Sequence, residues 1–559
     1  MSNYWERYAV RRISRRRLLY GSGVAGAGLA GLALAGCGDD EEAPGGTQPP
    51  AGQTPGASPT AAPTEQPKRG GEVIFHLGGS PRSLDPHFDT FPYNTALTNN
   101  VYNGLYRFTP DLAEIVTDLA TALPENPDQL TWVVKIHQGV KFHNVDPANG
   151  RELTAEDVKY SIERQSTNEP GKFQHAYFFL GKLDGIDTPD KYTVVFRTKR
   201  PYAPMMSYLA SPWTLIINRE TVEKYGDLTQ HAVGTGPFIF KEWQKDVHMK
   251  AERNPDYWKQ GLPYVDRVTW LFATDPDTAA TMFIQKQVHA VIVSQPQLDR
   301  VRSARKDANY KAVPSQFWRQ MRMPPTTKDQ PYQPPFSDPR FRQAVVQAVN
   351  PEQVLDLVYA GDGVRAFGPI LPIYEYWALP EELPEHKFDL ANAKKLMQAA
   401  GVTSFRGPMI WATNPQADQI GEILKQQLAQ IGVEVELQPM ELAAYYNQTY
   451  SYKYTFSHHV PLNNPDPDEN LSSYFGRNST YYKHYNEEIF DLIDQQSQEL
   501  DRERRRALVL EAQRKIVLDF PMKFMFTTNL HEFTDPAVKG WFYHTDLYDG
   551  RIETLWLDL

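Results

Sequence analysis

The sequence predicts an α/β protein with more than one domain, on three observations. The chain has 559 residues, 41% of them hydrophobic, which is more than a single core organises. Short stretches that alternate apolar and polar side chains recur along it, the period-2 signature of half-buried strands. Between Met409 and Leu437 a strand-like run, a helical run and a second strand-like run follow one another, the βαβ pattern of a parallel sheet.

The N-terminal region has a different character. Ser14-Arg15-Arg16-Arg17-Leu18-Leu19-Tyr20 fits a twin-arginine export signal, with Arg15 and Arg16 as the pair. Gly21 to Ala35 is weakly apolar and too short for a permanent spanning helix. Leu34-Ala35-Gly36-Cys37 then resembles a lipobox, in which Cys37 is acylated and becomes the mature N-terminus. Residues 1–37 therefore read as a signal peptide, and lipidated Cys37 as an anchor on the outer side of the cell membrane. Cys37 is the one cysteine of the chain, which excludes internal disulfides and any Cys-based zinc site. Residues 38–69 are rich in Pro, Gly, Thr and Ala and read as a disordered tether. The net charge is −10; the first 37 residues, with six Arg against one Glu, contribute +5 and leave −15 for the rest. So acidic a body argues against nucleic acid as a partner.

Folded structure is expected from Gly70, where a glycine turn feeds the strand Glu72-Val73-Ile74-Phe75. Leu130 to Ile136 alternates as a strand, and Val140 to His143 is expected to continue it as a hairpin. Thr154-Ala155-Glu156-Asp157 reads as a capping box opening a helix. Tyr192 to Arg197 and Asp266 to Phe272 are further strands, and Asp277 to Lys286 is helical. Ser337 is expected to cap a helix with Pro339 in its first turn. Ile420, Ile423, Leu424, Leu428 and Ile431 mark a helix that Gly432 ends. Two helices, 488–500 and 501–518, follow, with Arg502 to Arg506 on a solvated face.

The stretch that carries most information is Ala232 to Trp258. Gly234-Thr235-Gly236-Pro237-Phe238 makes a tight corner before an alternating strand, and Arg253-Asn254-Pro255-Asp256-Tyr257-Trp258 turns the chain again. No Lys-Ser/Thr pair follows the glycines, so the criteria of a phosphate-binding loop fail. GTGPF together with NPDYW resembles the signature of the extracytoplasmic solute-binding proteins of family 5, the peptide, dipeptide and nickel receptors of ABC importers. Leu84-Asp85-Pro86 with Asn103-Gly104-Leu105, Val140-Lys141-Phe142-His143 with Thr154-Ala155-Glu156-Asp157-Val158, and Phe336 to Ala344 resemble further blocks of that family.

The resemblance implies a two-lobed, periplasmic-binding-protein-like α/β fold of class II and cluster C type, with an extra small α/β domain inserted in lobe one. The implied borders are 70–108, 203–310 and 531–559 for lobe I, 109–202 for the insert and 311–530 for lobe II. It implies a monomeric, non-enzymatic receptor without cofactor, which captures a peptide or peptide-like solute by hinge closure and presents it to permease subunits. The loop with Tyr93 and Asn94 lies at the ligand cleft by this resemblance. Trp411 and Asn414 sit at the C-terminal end of a parallel strand, where such sheets bind ligands. Phe456 to Asp468 aligns with the family's PDPD loop, and departs from it. Where peptide-binding members carry an acid for the peptide amine, this chain has Asn463, and Asp466 or Asp468 could take its place.

His458 and His459 in the same loop are candidate ligand contacts, and the alternative within the fold is a nickel or other metal complex held by them, or an oligosaccharide. His137 and His143 are read as packing residues rather than metal ligands. The alternative from another class is an extracytoplasmic hydrolase; against it, the chain carries no convincing Gly-x-Ser-x-Gly, His-Glu-x-x-His or Ser-x-x-Lys constellation.

Overall fold

The computed structural model describes residues 66–559 except 89–91, 113, 168–172, 174, 480 and 542–549. The export signal with Arg15 and Arg16, the lipobox with Cys37, and the tether up to residue 65 lie outside the described residues.

The first strand, β1 (Glu72–Leu77), is followed by a small hairpin of β2 (Tyr106–Phe108) and β3 (Ile115–Thr117). Next comes a separate three-stranded antiparallel sheet in which β6 (Thr193–Thr198) lies between β4 (Thr131–Lys135) and β5 (Leu183–Asp190). The helix Ala155–Gln165 packs on it and opens with the expected capping box: the Thr154 N–H donates to Asp157 at 2.8 Å. The expected hairpin after β4 does not form. The chain turns at Gly139, with φ +75°, and Phe142 pairs instead with Arg151.

The main sheet begins with β1 and takes up β7 (Phe238–Gln244), β8 (His248–Arg253), β9 (Arg267–Phe272) and β10 (Ala290–Val293). It continues with β11 (Asn309–Arg322), β12 (Gly363–Arg365), β13 (Phe405–Ala412), β14 (Val433–Met440), β15 (Phe456–His459) and β16 (Met522–Thr534). Among the described residues this is an 11-stranded sheet in the order β14-β13-β15-β11-β16-β10-β1-β9-β8-β7, with β12 beside β16. A last pair, β17 (Val538–Lys539) and β18 (Trp556–Leu557), closes the chain. β13, the helix Pro415–Ala429 and β14 form the expected parallel βαβ unit.

Two strands carry the sheet from one half to the other. β11 and β16 pair antiparallel from Asn309↔Thr534 to Arg322↔Met522, with register shifts between Pro314 and Trp318 and between Arg319 and Gln320. At the first shift β11 bonds elsewhere. The Trp318 N–H donates to the Pro461 carbonyl at 3.1 Å, the Asn463 N–H to the Gln316 carbonyl at 2.9 Å, and the Thr527 hydroxyl reaches the Ser315 and Phe317 carbonyls at 2.7 Å each. Apolar clusters lie along the sheet. One is built on β1, β8 and β9, and another on β11, β13 and the helices Pro339–Ala348 and Pro415–Ala429.

The glycine corner Gly234–Phe238 is a point of backbone contact. A Cβ on Gly234 would lie 2.2 Å from the Val101 carbonyl oxygen, and one on Gly236 2.6 Å from that of Asn100. The Thr235 hydroxyl donates to Asn103 at 3.0 Å, and the Gly236 carbonyl accepts from Asn254 at 3.1 Å and meets the His143 ring at 3.0 Å. The motif blocks of the sequence therefore meet here, with His143 in a packing role. The helix at 339 is capped by Asp338 rather than Ser337. The Asp338 carboxylate accepts from the Arg340 N–H, and a carboxylate one residue nearer the helix wins the capping position.

Candidate functional site

Strand β15 sets the centre of the site. Successive residues of a strand point to opposite faces, so His458 and His459 part company. The His459 ring nitrogen Nδ1 lies 2.5 Å from the Tyr445 hydroxyl, on the face covered by the helix Leu442–Tyr450. His458 faces the other way, beside Arg319, and neither ring nitrogen has a hydrogen-bond partner. Burial, helped by Arg319, holds its pKa down at about 3, so the ring is neutral. Burial, with Arg322, also holds His459 well below its ordinary value. Two rings on opposite faces do not converge on one ion. Among the described residues no group of three or more His, Cys, Asp or Glu is placed to hold a metal.

Next to His459 runs β11, whose Arg322 is 0% exposed. Its guanidinium lies 5.8 Å from the Tyr474 ring centre and 5.4 Å from that of Tyr482, and donates to the Tyr481 carbonyl at 3.2 Å. Around it the rings of Tyr446 and Tyr450 (5.5 Å), Tyr450 and Tyr481 (6.2 Å), and Tyr474 and Tyr481 (5.2 Å) form a continuous aromatic surface. Tyr450 is 43% exposed; Tyr446, Tyr474 and Tyr481 are partly exposed. Arg82, in the loop after β1, is close enough to act electrostatically on Tyr446 and Tyr450. On another side Glu469 accepts from the Tyr177 hydroxyl at 3.2 Å and lies 3.7 Å from His175, which stacks on Trp213.

The other residues singled out from the sequence are distributed more widely. The Tyr93 ring packs on Gly78 and Gly79, where a Cβ on Gly79 would sit 2.7 Å from it. Asn94 is buried and donates to the Asp85 carbonyl at 3.1 Å. Trp411 donates from its indole to Asp418 at 2.7 Å and lines an open groove of about 760 Å³ with Leu357, Ile423 and Leu437. Asn414 caps the helix Pro415–Ala429 by accepting from the Ala417 N–H.

Asn463 is 1% exposed and committed to the fold. Its side chain donates to the Pro369 carbonyl at 2.7 Å and accepts from the Leu371 N–H at 3.1 Å. Asp466 is paired with the fully buried Arg505 at 2.6 Å, and Asp468 accepts from Tyr208 at 2.7 Å and Gln496 at 2.5 Å. The expectation of a solvated face over Arg502–Arg506 thus fails at Arg505, which the PDPD loop draws inward. Arg322 and the tyrosines were not singled out from the sequence. Their signal was density: nine of the chain's 30 tyrosines fall between 445 and 485.

With the fold and these contacts in place, the chain can be set beside known proteins. The model of the bacterial extracellular solute-binding proteins, family 5, matches residues 114–482. The chain belongs to that family. The glutathione-binding protein GsiB of Salmonella typhimurium is 28% identical over 373 residues, 66% of this chain and 70% of that protein. Among solved structures, the periplasmic binding protein DppA of Helicobacter pylori in complex with the peptide STSA superposes with a TM-score of 0.75 at 25% identity, covering 88% of this chain and 99% of that one. The oligopeptide-binding protein AppA of Bacillus subtilis, in complex with a nonapeptide, gives 0.75 at 22% identity over 88% and 100%. The fold of this family-5 protein is therefore the class II periplasmic-binding-protein fold expected from its sequence. The family is extracellular by description, and among the described residues no helix is long and apolar enough to cross a membrane.

Proposed function

We propose that this family-5 protein is the solute receptor of an ABC importer, and that it captures a peptide or peptide-like solute on the tyrosine surface around Arg322. The observation that carries the reading is that surface: four partly exposed phenol rings, contiguous over a buried cation, in a family of solute-binding proteins. Aromatic faces with hydroxyl edges supply apolar contact and hydrogen bonds together, as a peptide requires. The peptide and glutathione named for its relatives support the same class. Lobe I (70–108, 203–310, 531–559), with the insert 109–202, and lobe II (311–530) close on the solute by bending of the β11–β16 ladder, and the closed form is read by permease subunits. The receptor works as a monomer and performs no covalent chemistry.

Two expected results test this. A cognate solute at a hundredfold excess over its Kd stabilises the folded state by about 2.7 kcal/mol, read as a rise in Tm. X-ray scattering of residues 70–559 then gives a smaller radius than without solute. An unchanged radius at saturation sinks hinge closure, and turnover of the bound peptide, followed by mass spectrometry, moves the protein to the hydrolase class.

Delivery rests on the N-terminal region. Arg15 and Arg16 direct twin-arginine export, and Cys37 carries the lipid anchor. Arg15→Lys with Arg16→Lys retains the precursor in the cytoplasm, whereas Cys37→Ala gives exported protein that no longer sediments with membranes. Fractionation and immunoblotting read both, and normal export of the double-lysine variant removes the twin-arginine assignment alone.

A further inference from the structure

Arg322 differs from the other deeply buried arginines among the described residues. Arg505 is paired with Asp466, Arg551 with Asp118, and Arg342 with Asp519. No described carboxylate lies within ion-pair distance of Arg322, although it is 0% exposed. Its guanidinium is held by neutral groups only. Besides the Tyr481 carbonyl these are the Gln320 carboxamide, whose oxygen, with the amide turned end for end so that it faces the guanidinium, accepts from Nε and Nη2 at 2.7 Å each, and the hydroxyl of Tyr454. A buried charge without a counter-charge is costly, and a fold that keeps one leaves a place for an anion.

The hydroxyls above it are donors without acceptors. Those of Tyr446, Tyr450, Tyr474 and Tyr481 have no hydrogen-bond partner among the described residues, although their rings adjoin. The charged groups facing them are mostly positive. Arg322 acts on Tyr446, Tyr450 and Tyr474, Arg82 acts on Tyr446 and Tyr450 from across the surface, and the Lys483 ammonium lies 5.5 Å from the Tyr452 ring centre. The one acid that reaches Tyr474 and Tyr481 is Glu469, which takes the Tyr177 hydroxyl. His459 stands neutral beside them.

We propose that the four tyrosine hydroxyls over Arg322 form the subsite for a carboxylate of the solute, which supplies the counter-charge the fold leaves out. This rests on the peptide-receptor reading and narrows it to carboxylate-bearing members of that class. The hydroxyls donate directly to the carboxylate oxygens. Arg322 acts from beneath through its charge, strengthened by the low dielectric around it, and through the Tyr481 backbone it orients.

The test uses a pool of randomised tripeptides with free C-terminal carboxylates and the same pool made as C-terminal amides, with retained species identified by native mass spectrometry. The wild type retains acids over neutral amides by tenfold or more. Amides that are retained all the same are those with Asp or Glu side chains, if the subsite reads a side chain rather than a terminus. Arg322→Gln reduces acid binding by about thirtyfold or more and removes the discrimination. Tyr450→Phe, which keeps the exposed ring and loses only the hydroxyl, narrows the discrimination several-fold, and decides the matter should the Arg322 variant not fold. Equal retention of neutral amides and acids by the wild type overturns the carboxylate subsite and leaves the peptide reading standing. So does a folded Arg322→Gln that still discriminates. Retention of neither pool overturns both.

Discussion

Gly234→Ala is expected to cost about 3 kcal/mol or more of stability, enough to leave much of the protein unfolded or aggregated on expression. The added methyl would stand 2.2 Å from the Val101 carbonyl oxygen, 2.7 Å from the Tyr102 ring and 2.9 Å from the Tyr102 Cα. Two of those three atoms are backbone, and Tyr102 is fully buried, so no flexible side chain can swing aside. Overpacking a rigid site costs about 1–3 kcal/mol and more where backbone must shift. The effect is steric, so Gly401→Ala serves as the control: it too is a glycine-to-alanine change, at a site with no atom within 4 Å of the added methyl. Its φ of +69° imposes a conformational cost of about 1 kcal/mol instead. Chemical denaturation of the two variants separates the mechanisms. A Gly234→Ala protein as stable as the wild type would show that the corner is looser than its geometry.

Asp118→Asn is the second large effect. Asp118 is fully buried beneath Arg551 at 2.7 Å and Lys259 at 3.1 Å, and accepts both hydrogen bonds offered by the Asn103 amide. Neutralising it strips a buried carboxylate from Arg551 and leaves Glu553 to balance Lys259, and breaking a buried pair in this way costs about 3–5 kcal/mol. Because Arg551 belongs to the returning C-terminal segment, limited proteolysis of the variant should release that segment first. The wild type carries the same information in its pH dependence. Burial alone would raise the Asp118 pKa, but Arg551 and Lys259 outweigh it and hold the carboxyl well below its ordinary value. Its contribution is therefore complete above the unfolded value of about 3.9 and is lost as pH falls further toward the folded one. Asp118→Asn should flatten the acid limb of the stability profile; an unchanged limb would assign it to other carboxylates.

Much of the fold was legible in the sequence because its signals are local. Thr154 and Asp157 lie three residues apart and form the capping box, and the helical spacing of Ile420, Leu424 and Leu428 with Gly432 behind them specifies a βαβ unit without reference to the rest of the chain. The glycine corner was legible as a corner, though not its cause, because Val101 and Asn100 lie far away in sequence. The site was less legible for the same reason. Arg322 is separated from Tyr450 and Tyr481 by more than a hundred residues, and its lack of a carboxylate is a property of the assembled sheet. Asn463 drew notice as a missing acid, yet its two hydrogen bonds to 369–371 give it work that sequence spacing does not disclose. Arg505 sits in a basic run that reads as solvated until Asp466 arrives from another part of the chain.

Under the proposed hinge closure, the interruption in the β11–β16 ladder couples bending to the PDPD loop. Between Pro314 and Trp318 the strand turns its hydrogen bonds to Pro461 and Asn463, while Thr527 on the partner strand holds the Ser315 and Phe317 carbonyls within the gap. A bend there cannot stay in the ladder, since the displaced carbonyl of Gln316 pulls on the Asn463 amide it accepts from. Asn463 is three residues from Asp466, which grips Arg505 on the long helix Arg502–Leu518. The crossing strands, the PDPD loop and that helix are thereby joined in series, and a rotation at the gap, if closure occurs there, would reach the loop as a pull on Asn463. Slack introduced at Thr527, by its replacement with valine, would let the strands flex without moving the loop.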